Sequence, residues 1–227
     1  MISFRSASTA ATSSAFLAGL DPGATRAVLG AAEFRWISAN HAITNEGHPA
    51  THLFVVQEGR ARYCHLTKNG ELVLLAQLAP GDAIGLSTLL MDPPAYMATA
   101  EASSECELMV WDRANVRKFV SLYPQLAENG LRIALGYLRN YVERHVALVT
   151  ETAVERLAKT LLKLGRQSGE IHPDGVEIRA TNDELSALAD ISRFTASRAL
   201  SGWVRAGTIS KGRGRILLHA PEALMID

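Results

Sequence analysis

Residues 191–216, ISRFTASRALSGWVRAGTISKGRGRI, carry six cationic side chains and no acidic one, in a chain whose Lys+Arg and Asp+Glu counts are equal at 23 each. Cut at residue 150, the chain has 12 basic and 13 acidic residues before the cut and 11 and 10 after it, so the bias is local. Wound as a helix capped by Ser192, the stretch turns Ala196, Ala199, Leu200 and Trp203 inward and Arg193, Phe194, Ser197 and Arg198 outward. Arg193 and Arg198 can each offer a two-donor fork to the O6/N7 pair of a guanine, a contact worth about 1–3 kcal/mol of discrimination. Ser192, Thr195 and the N–H groups of the first turn suit phosphate oxygens. KGRGR then supplies Lys211, Arg213 and Arg215 on a glycine-flexed hairpin, again suited to phosphates. The chemistry these residues could perform is the reading of duplex DNA. A solvated basic face is the competing reading, and it does not account for the cations sharing one helix face and the adjoining hairpin.

Such a reader needs a mount. Thr181 and Glu184 have capping-box spacing, Leu185, Leu188 and Ala189 give the next helix its buried face, and Ala189-Asp190-Ile191 is a tight turn into the basic helix. Two helices so joined, followed by a short hairpin, are a helix-turn-helix with a wing. Upstream, TAVERLAKTLLKLG reads as a helix opened by Thr152 and Glu155, with Val154, Leu157, Ala158, Leu161 and Leu162 on its apolar face and Gly165 closing it. RQSGEIHPDG reads as a loop and VEIRA as a strand. This module is expected to occupy residues 151–227.

Before it, Pro124 opens a long helix over residues 124–150. Leu131, Leu135, Leu138, Val142, His145 and Val149 succeed one another at steps of four, three, four, three and four, the spacing of a coiled-coil seam. A second stripe of Leu126, Ile133, Tyr137, Tyr141 and Leu148 lies on another face. One stripe can pack on the N-terminal domain and the other on a second copy of the chain, which makes a homodimer the expectation; a single intramolecular core is the alternative. His145 reads as an interface residue rather than a pH sensor or metal ligand.

Residues 34–110 are short β-prone runs broken at Glu58-Gly59, Lys68-Asn69-Gly70 and Pro80-Gly81-Asp82, with Asn69-Gly70 a hairpin signal. They imply an antiparallel roll or barrel. Asp21 and Pro22 start a preceding helix, Asp112 caps a short one after Trp111, and the Ser/Thr/Ala-rich first 14 residues read as a frayed leader. Two cysteines, Cys64 and Cys106, are too few for a disulfide framework or an iron-sulfur cluster, and a reducing cytoplasm fits them. No run approaches the roughly 18 apolar residues of a membrane span, so a membrane partner is not expected. His48 and His52 are four apart, but Pro49 between them argues against a helical metal pair, and no metal site is expected. A second function class stays open: a cupin-like small-molecule binder or enzyme whose winged helix serves protein contacts.

From about residue 16 to 219 the chain resembles the Crp/Fnr family of bacterial transcription regulators. The roll LFVVQEGRARY…GELVLLAQLAPGDAIG and the run AVERLAKTLLKL…HPDGVEIRATNDELSALADISRFTASRALSGWVRAGTI carry the likeness. The resemblance implies an α+β fold: an N-terminal antiparallel β-roll of cyclic-nucleotide-binding type over 15–123, a dimerisation helix over 124–150, and a C-terminal winged helix-turn-helix. It also implies double-stranded DNA with a two-fold-related site and RNA polymerase as partners. The family's base-reading arginines fall on Arg193 and Arg198, while its usual glutamate between them is Phe194, which loses an acceptor for cytosine N4 and gains an apolar contact to a thymine methyl.

The sensor departs further from the family. Members that bind cyclic AMP carry a glutamate directly after the glycine that here is Gly85, and an arginine about eleven residues beyond that glycine. Leu86 and Tyr96 stand there instead, and the adenine-facing Thr-Ser pair corresponds to Tyr141-Val142. A phosphate buried without a cation has no partner, so cyclic AMP is not expected. If an effector binds, its candidate pocket comprises Gly85, Leu86, Ser87, Thr88, Tyr96, Met97, Tyr141 and Val142. Haem, held by some of the seven histidines, Cys64 or Met97, stays open, as do another small effector and no effector.

Overall fold

The computed structural model describes residues 14–68, 72–90, 92, 95–221 and 224. The expected leader and the Asn69-Gly70 turn lie outside them, apart from Ser14. The chain forms two compact units that divide between Tyr141 and Val142, inside the long helix rather than at its end.

The first unit is built on two four-stranded antiparallel sheets. One runs β1 (Glu33–Ile37), β8 (Cys106–Asp112), β3 (His52–Glu58), β6 (Ala83–Ile84); the other runs β2 (Ala42–Thr44), β7 (Thr99–Ala102), β4 (Ala61–Leu66), β5 (Leu72–Leu78). Strands β3 and β8 read HLFVVQE and CELMVWD without a polar alternation because both of their faces are covered. Phe54, Val56, Leu108 and Val110 point into the roll with Ala100, Ala102 and Leu78. Leu53, Val55, Met109 and Trp111 point the other way, onto Phe16, Val28, Val116, Phe119 and Leu126. The Trp111 indole N–H donates to the Val28 carbonyl at 2.8 Å, so this large ring is buried without a stranded donor.

Helix α1 (Pro22–Gly30) starts where expected, with Asp21 accepting from the Gly23 and Ala24 amides. Asp112 likewise caps α2 (Arg113–Leu122) by accepting from the Asn115 amide. Helix α3 (Gln125–Thr150) follows Pro124. Its second stripe, that of Leu126, meets the roll at Leu126, which is buried, and at Ile133 and Tyr137, which are half-buried. Tyr141 and Leu148 are exposed. Two residues outside both stripes complete the seat: Asn129 donates to the Phe16 and Ala18 carbonyls at 2.9 and 2.8 Å, and a side chain at Gly130 would overlap Leu89.

The second unit holds α4 (Ala153–Ser168), α5 (Asn182–Leu188), α6 (Arg193–Arg205) and an antiparallel sheet in the order β11 (Ile209–Gly212), β12 (Arg215–Leu218), β10 (Gly175–Arg179), β9 (Glu170–His172). Thr152 and Glu155 form the expected capping box. Three expectations are corrected here. Helix α4 does not close at Gly165 but runs to Ser168, capped by Gly169, because Gly165 lies in the packed face against Leu218 and Val176. Val154 is exposed rather than part of that face. The segment expected as a loop contains β9, which pairs with β10 across the Pro173-Asp174 turn. Leu157, Leu161, Ile178, Leu185, Leu200, Trp203, Ile216 and Leu218 make one core under all these elements. Among the described residues no helix is long and apolar enough to cross a membrane.

Candidate nucleic-acid interface

Helix α5 begins with the Thr181–Glu184 capping box: the Glu184 amide donates to Thr181 Oγ1 at 3.2 Å, and Glu184 Oε2 accepts from the Thr181 amide at 2.7 Å. It ends at a turn whose sharp reversal rests on Asp190 with φ +51°, a left-handed conformation that Asp and Asn tolerate better than other side-chain-bearing residues. Two arginines brace this turn. Arg144 of α3 grips the Asp190 carboxylate through Nη2 and Nε at 2.6–3.1 Å. Arg156 of α4 donates to the Ala189 and Asp190 carbonyls at 3.1 and 3.3 Å.

Ser192 caps α6 as expected, accepting from the Thr195 amide at 3.0 Å, and its hydroxyl also lies 2.8 Å from that of Thr195. Ala196, Leu200 and Trp203 are buried; Arg193, Phe194, Ser197 and Arg198 are all exposed, so the phasing assigned from sequence holds. Wing residues Lys211, Arg213 and Arg215 are exposed on the β11–β12 hairpin, whose turn includes Gly214 at φ +70°.

The basic stretch has no acid of its own, but the fold brings acids to it. Asp183 of α5 lies 3.0 Å from Arg193 Nε, and Glu177 of β10 lies 3.5 Å from an Arg215 nitrogen. Near the wing, His219 Nδ1 meets the Asp174 carbonyl at 3.0 Å and its Nε2 meets the Ser210 hydroxyl at 2.6 Å, joining the base of β11 to the β9–β10 turn. Asp183, Glu177, Arg144 and Arg156 leave no local signal in the sequence. Only Asp190 left a signal there, an acidic residue between two helical patterns where a turn had to be made.

Comparison with known proteins bears on this geometry. Residues 34–123 match the family model of the cyclic nucleotide-binding domain, and residues 155–225 match that of the Crp-like helix-turn-helix domain. The chain is 30% identical over 189 residues to the nitrogen fixation regulation protein FixK of Azorhizobium caulinodans, covering 82% of this chain and 75% of that one. It belongs to the Crp/Fnr family. A CRP-like cAMP-activated global transcriptional regulator of Mycobacterium tuberculosis is 25% identical over 210 residues, covering 91% and 92% of the two chains. Among solved structures, FixK2 from Bradyrhizobium japonicum superposes with a TM-score of 0.71 at 24% identity, covering 85% of this chain and 95% of that one. CLP from Xanthomonas campestris gives 0.78 at 18%, covering 88% and 99%. At these identities the two structures speak for the fold. This Crp/Fnr chain is therefore a DNA-binding transcription regulator with a β-roll of cyclic-nucleotide-binding type and a Crp-like helix-turn-helix.

Within the roll of this Crp/Fnr regulator, the residues named for an effector pocket divide. Gly85, Thr88 and Tyr96 lie close together, with Ser87 half-buried in the short turn that follows Gly85: Gly85 sits at φ +84°, where a Cβ would come 2.5 Å from the His52 carbonyl oxygen and 3.2 Å from the Tyr96 ring. The buried Thr88 hydroxyl donates to the Gly85 carbonyl at 2.8 Å. Tyr96 is buried, and its hydroxyl both accepts from the His52 amide and donates to the His52 carbonyl, each at 3.0 Å. Leu86 packs with the apolar cluster outside the roll, and Met97, 85% exposed, does not join the group. Tyr141 and Val142 are exposed on α3.

Two further tyrosines stand here, Tyr137 from the second stripe of the long helix and Tyr63, which carries no signal in the sequence. Tyr137 of α3 meets Tyr63 of β4 edge-on, with ring centroids 5.9 Å apart, and both pack on the roll interior. Burial drives both phenols above their ordinary range; a hydrogen bond from the Gly85 backbone partly offsets this for Tyr63, and the nearby Asp82 charge adds to it for both.

Proposed function

We propose that this regulator binds a two-fold-related DNA site as a homodimer and does so without cyclic AMP. The observation that carries the first part is the exposed row Arg193, Phe194, Ser197 and Arg198 on a helix whose opposite face is buried in the core. In this reading Arg198 and Arg193 present their forks to guanines, with Ser197 and Phe194 beside them, while Ser192, Thr195, Lys211, Arg213 and Arg215 meet phosphates.

The dimer rests on α3. Leu131, Leu135, Leu138, Val142 and Val149 are all more than 45% exposed, at coiled-coil spacing along the helix. His145, also exposed, falls in the same row. Dimeric helix-turn-helix proteins bind half-sites about 10 base pairs apart, centre to centre, and the same spacing is expected of this site.

Independence from cyclic AMP is supported by the roll. A cyclic nucleotide there needs an acceptor for its ribose hydroxyl and a cation for its phosphate. Leu86 supplies no acceptor, and the Tyr96 hydroxyl has both its hydrogen-bonding capacities committed to His52. A phosphate buried there without a cation is strongly disfavoured. We assign no haem and no metal to the chain, and place its action in the cytoplasm on promoter DNA beside RNA polymerase. Selection of bound duplexes from a random pool, followed by sedimentation of the complex, tests the reading: a palindromic consensus carrying two chains supports it, and enrichment of no sequence overturns it.

A further inference from the structure

We infer that Phe194 is a base reader whose ligand is the 5-methyl group of thymine, one in each half-site; the inference rests on the DNA-binding reading above. Helix α6 carries two large aromatic residues with opposite fates. Trp203 is 7% exposed and closes the core beneath the helix, whereas Phe194 is 73% exposed on the opposite side. Phe194 stands in the first turn, and Ser197 and Arg198 follow at i+3 and i+4, so the ring shares their face. The first turns of a recognition helix are those that reach base edges in the major groove.

Arg193 lies with its Nε 3.0 Å from Asp183 of α5 in an exposed pair that leaves its two terminal nitrogens facing outward. A phenyl ring has no donor or acceptor, so it cannot read the hydrogen-bonding pattern of a base pair. The major groove offers one apolar mark, the thymine methyl, absent from the other three bases. An exposed phenyl at this place gains free energy by covering that group.

The test removes the methyl and nothing else. Using the selected duplex, thymine is replaced by uracil at each position in turn, and the affinity of the intact protein and of Phe194→Ala is measured. At the contacted position uracil should weaken the intact protein about four-fold, and about fifteen-fold when both half-sites are changed, the equivalent of about 0.8 kcal/mol per covered methyl. Phe194→Ala should be indifferent to the same replacement while keeping the thermal midpoint of the parent, since the ring supports no core. If uracil is tolerated at every position while the sequence preference persists, the inference is overturned and the DNA-binding reading stands. If the replacement weakens Phe194→Ala as much as the parent, another residue reads the methyl. Absence of any selected sequence removes both.

Discussion

Asp190 carries two loads in one residue, and they can be separated. Its backbone holds φ +51° at the turn between α5 and α6, and its carboxylate accepts the Arg144 fork at 2.6–3.1 Å. Hydrogen bonds to a charged partner contribute about 1.5–3 kcal/mol. The side chains are 34% and 26% exposed, so solvent screening reduces this to about 1–2 kcal/mol. A left-handed backbone adds about 1 kcal/mol of strain once the residue is alanine. Asp190→Ala should therefore lose about 2–3 kcal/mol, Asp190→Gly about 1–2 because glycine is unstrained there, and Asp190→Asn about 1. Because the two units can unfold separately, a single melting curve is a poor readout. Amide exchange at Leu200 and Ile216, both buried in the core beneath α6, reports this unit alone. Asp190→Ala should accelerate it about 30- to 150-fold, and Asp190→Gly distinctly less. Exchange in Asp190→Ala within three-fold of the parent would refute the brace, and equal effects of alanine and glycine would refute the backbone component.

Other expectations follow from the same geometry. Arg198→Ala should relax base preference at one position, whereas Lys211→Ala should weaken all duplexes alike and lower the salt slope by about one; competition assays at several salt concentrations distinguish them, and matching losses of specificity would contradict the roles. Leu138→Arg places a charge in the exposed α3 seam and should shift sedimentation from dimer to monomer without altering the far-UV spectrum; an unchanged dimer would move the interface elsewhere. Hydrogen bonds with Thr152 hold the Glu155 carboxyl below its ordinary range, so its folded-state pKa lies under the unfolded one. Its stabilisation is then complete above the unfolded value and disappears as pH falls through the folded one. Glu155→Gln should be less stable than the parent at neutral pH, and the gap should close in acid; a gap that is the same in acid contradicts the capping role.

The architecture was legible where local chemistry and periodicity agreed. Asp21, Asp112, Thr152, Thr181 and Ser192 all cap the helices they were expected to start, because a cap depends on residues within one turn of itself. The outward row of α6 was readable because its inward partners are apolar at helical spacing. Long-range pairing was not. Asp183 beside Arg193 and Glu177 beside Arg215 join residues on different elements, and no local pattern announces them. Glycine often ends helices, which suggests a stop at Gly165, yet that residue lies inside α4 beside Val176 and Leu218, contacts that no local pattern announces. Tyr63 and Tyr137 are 74 positions apart in the sequence, so their meeting over the roll interior depends on how α3 lies on the sheets.

In the proposed function a dimer reads DNA through α6 with no help from cyclic AMP. Fluorescence anisotropy of a labelled duplex from the selected pool, titrated with the full chain in the presence and absence of millimolar cyclic AMP, tests it most directly. Two superimposable isotherms with two chains per duplex are predicted; binding that appears only when cyclic AMP is added, or a single chain per duplex, would contradict it.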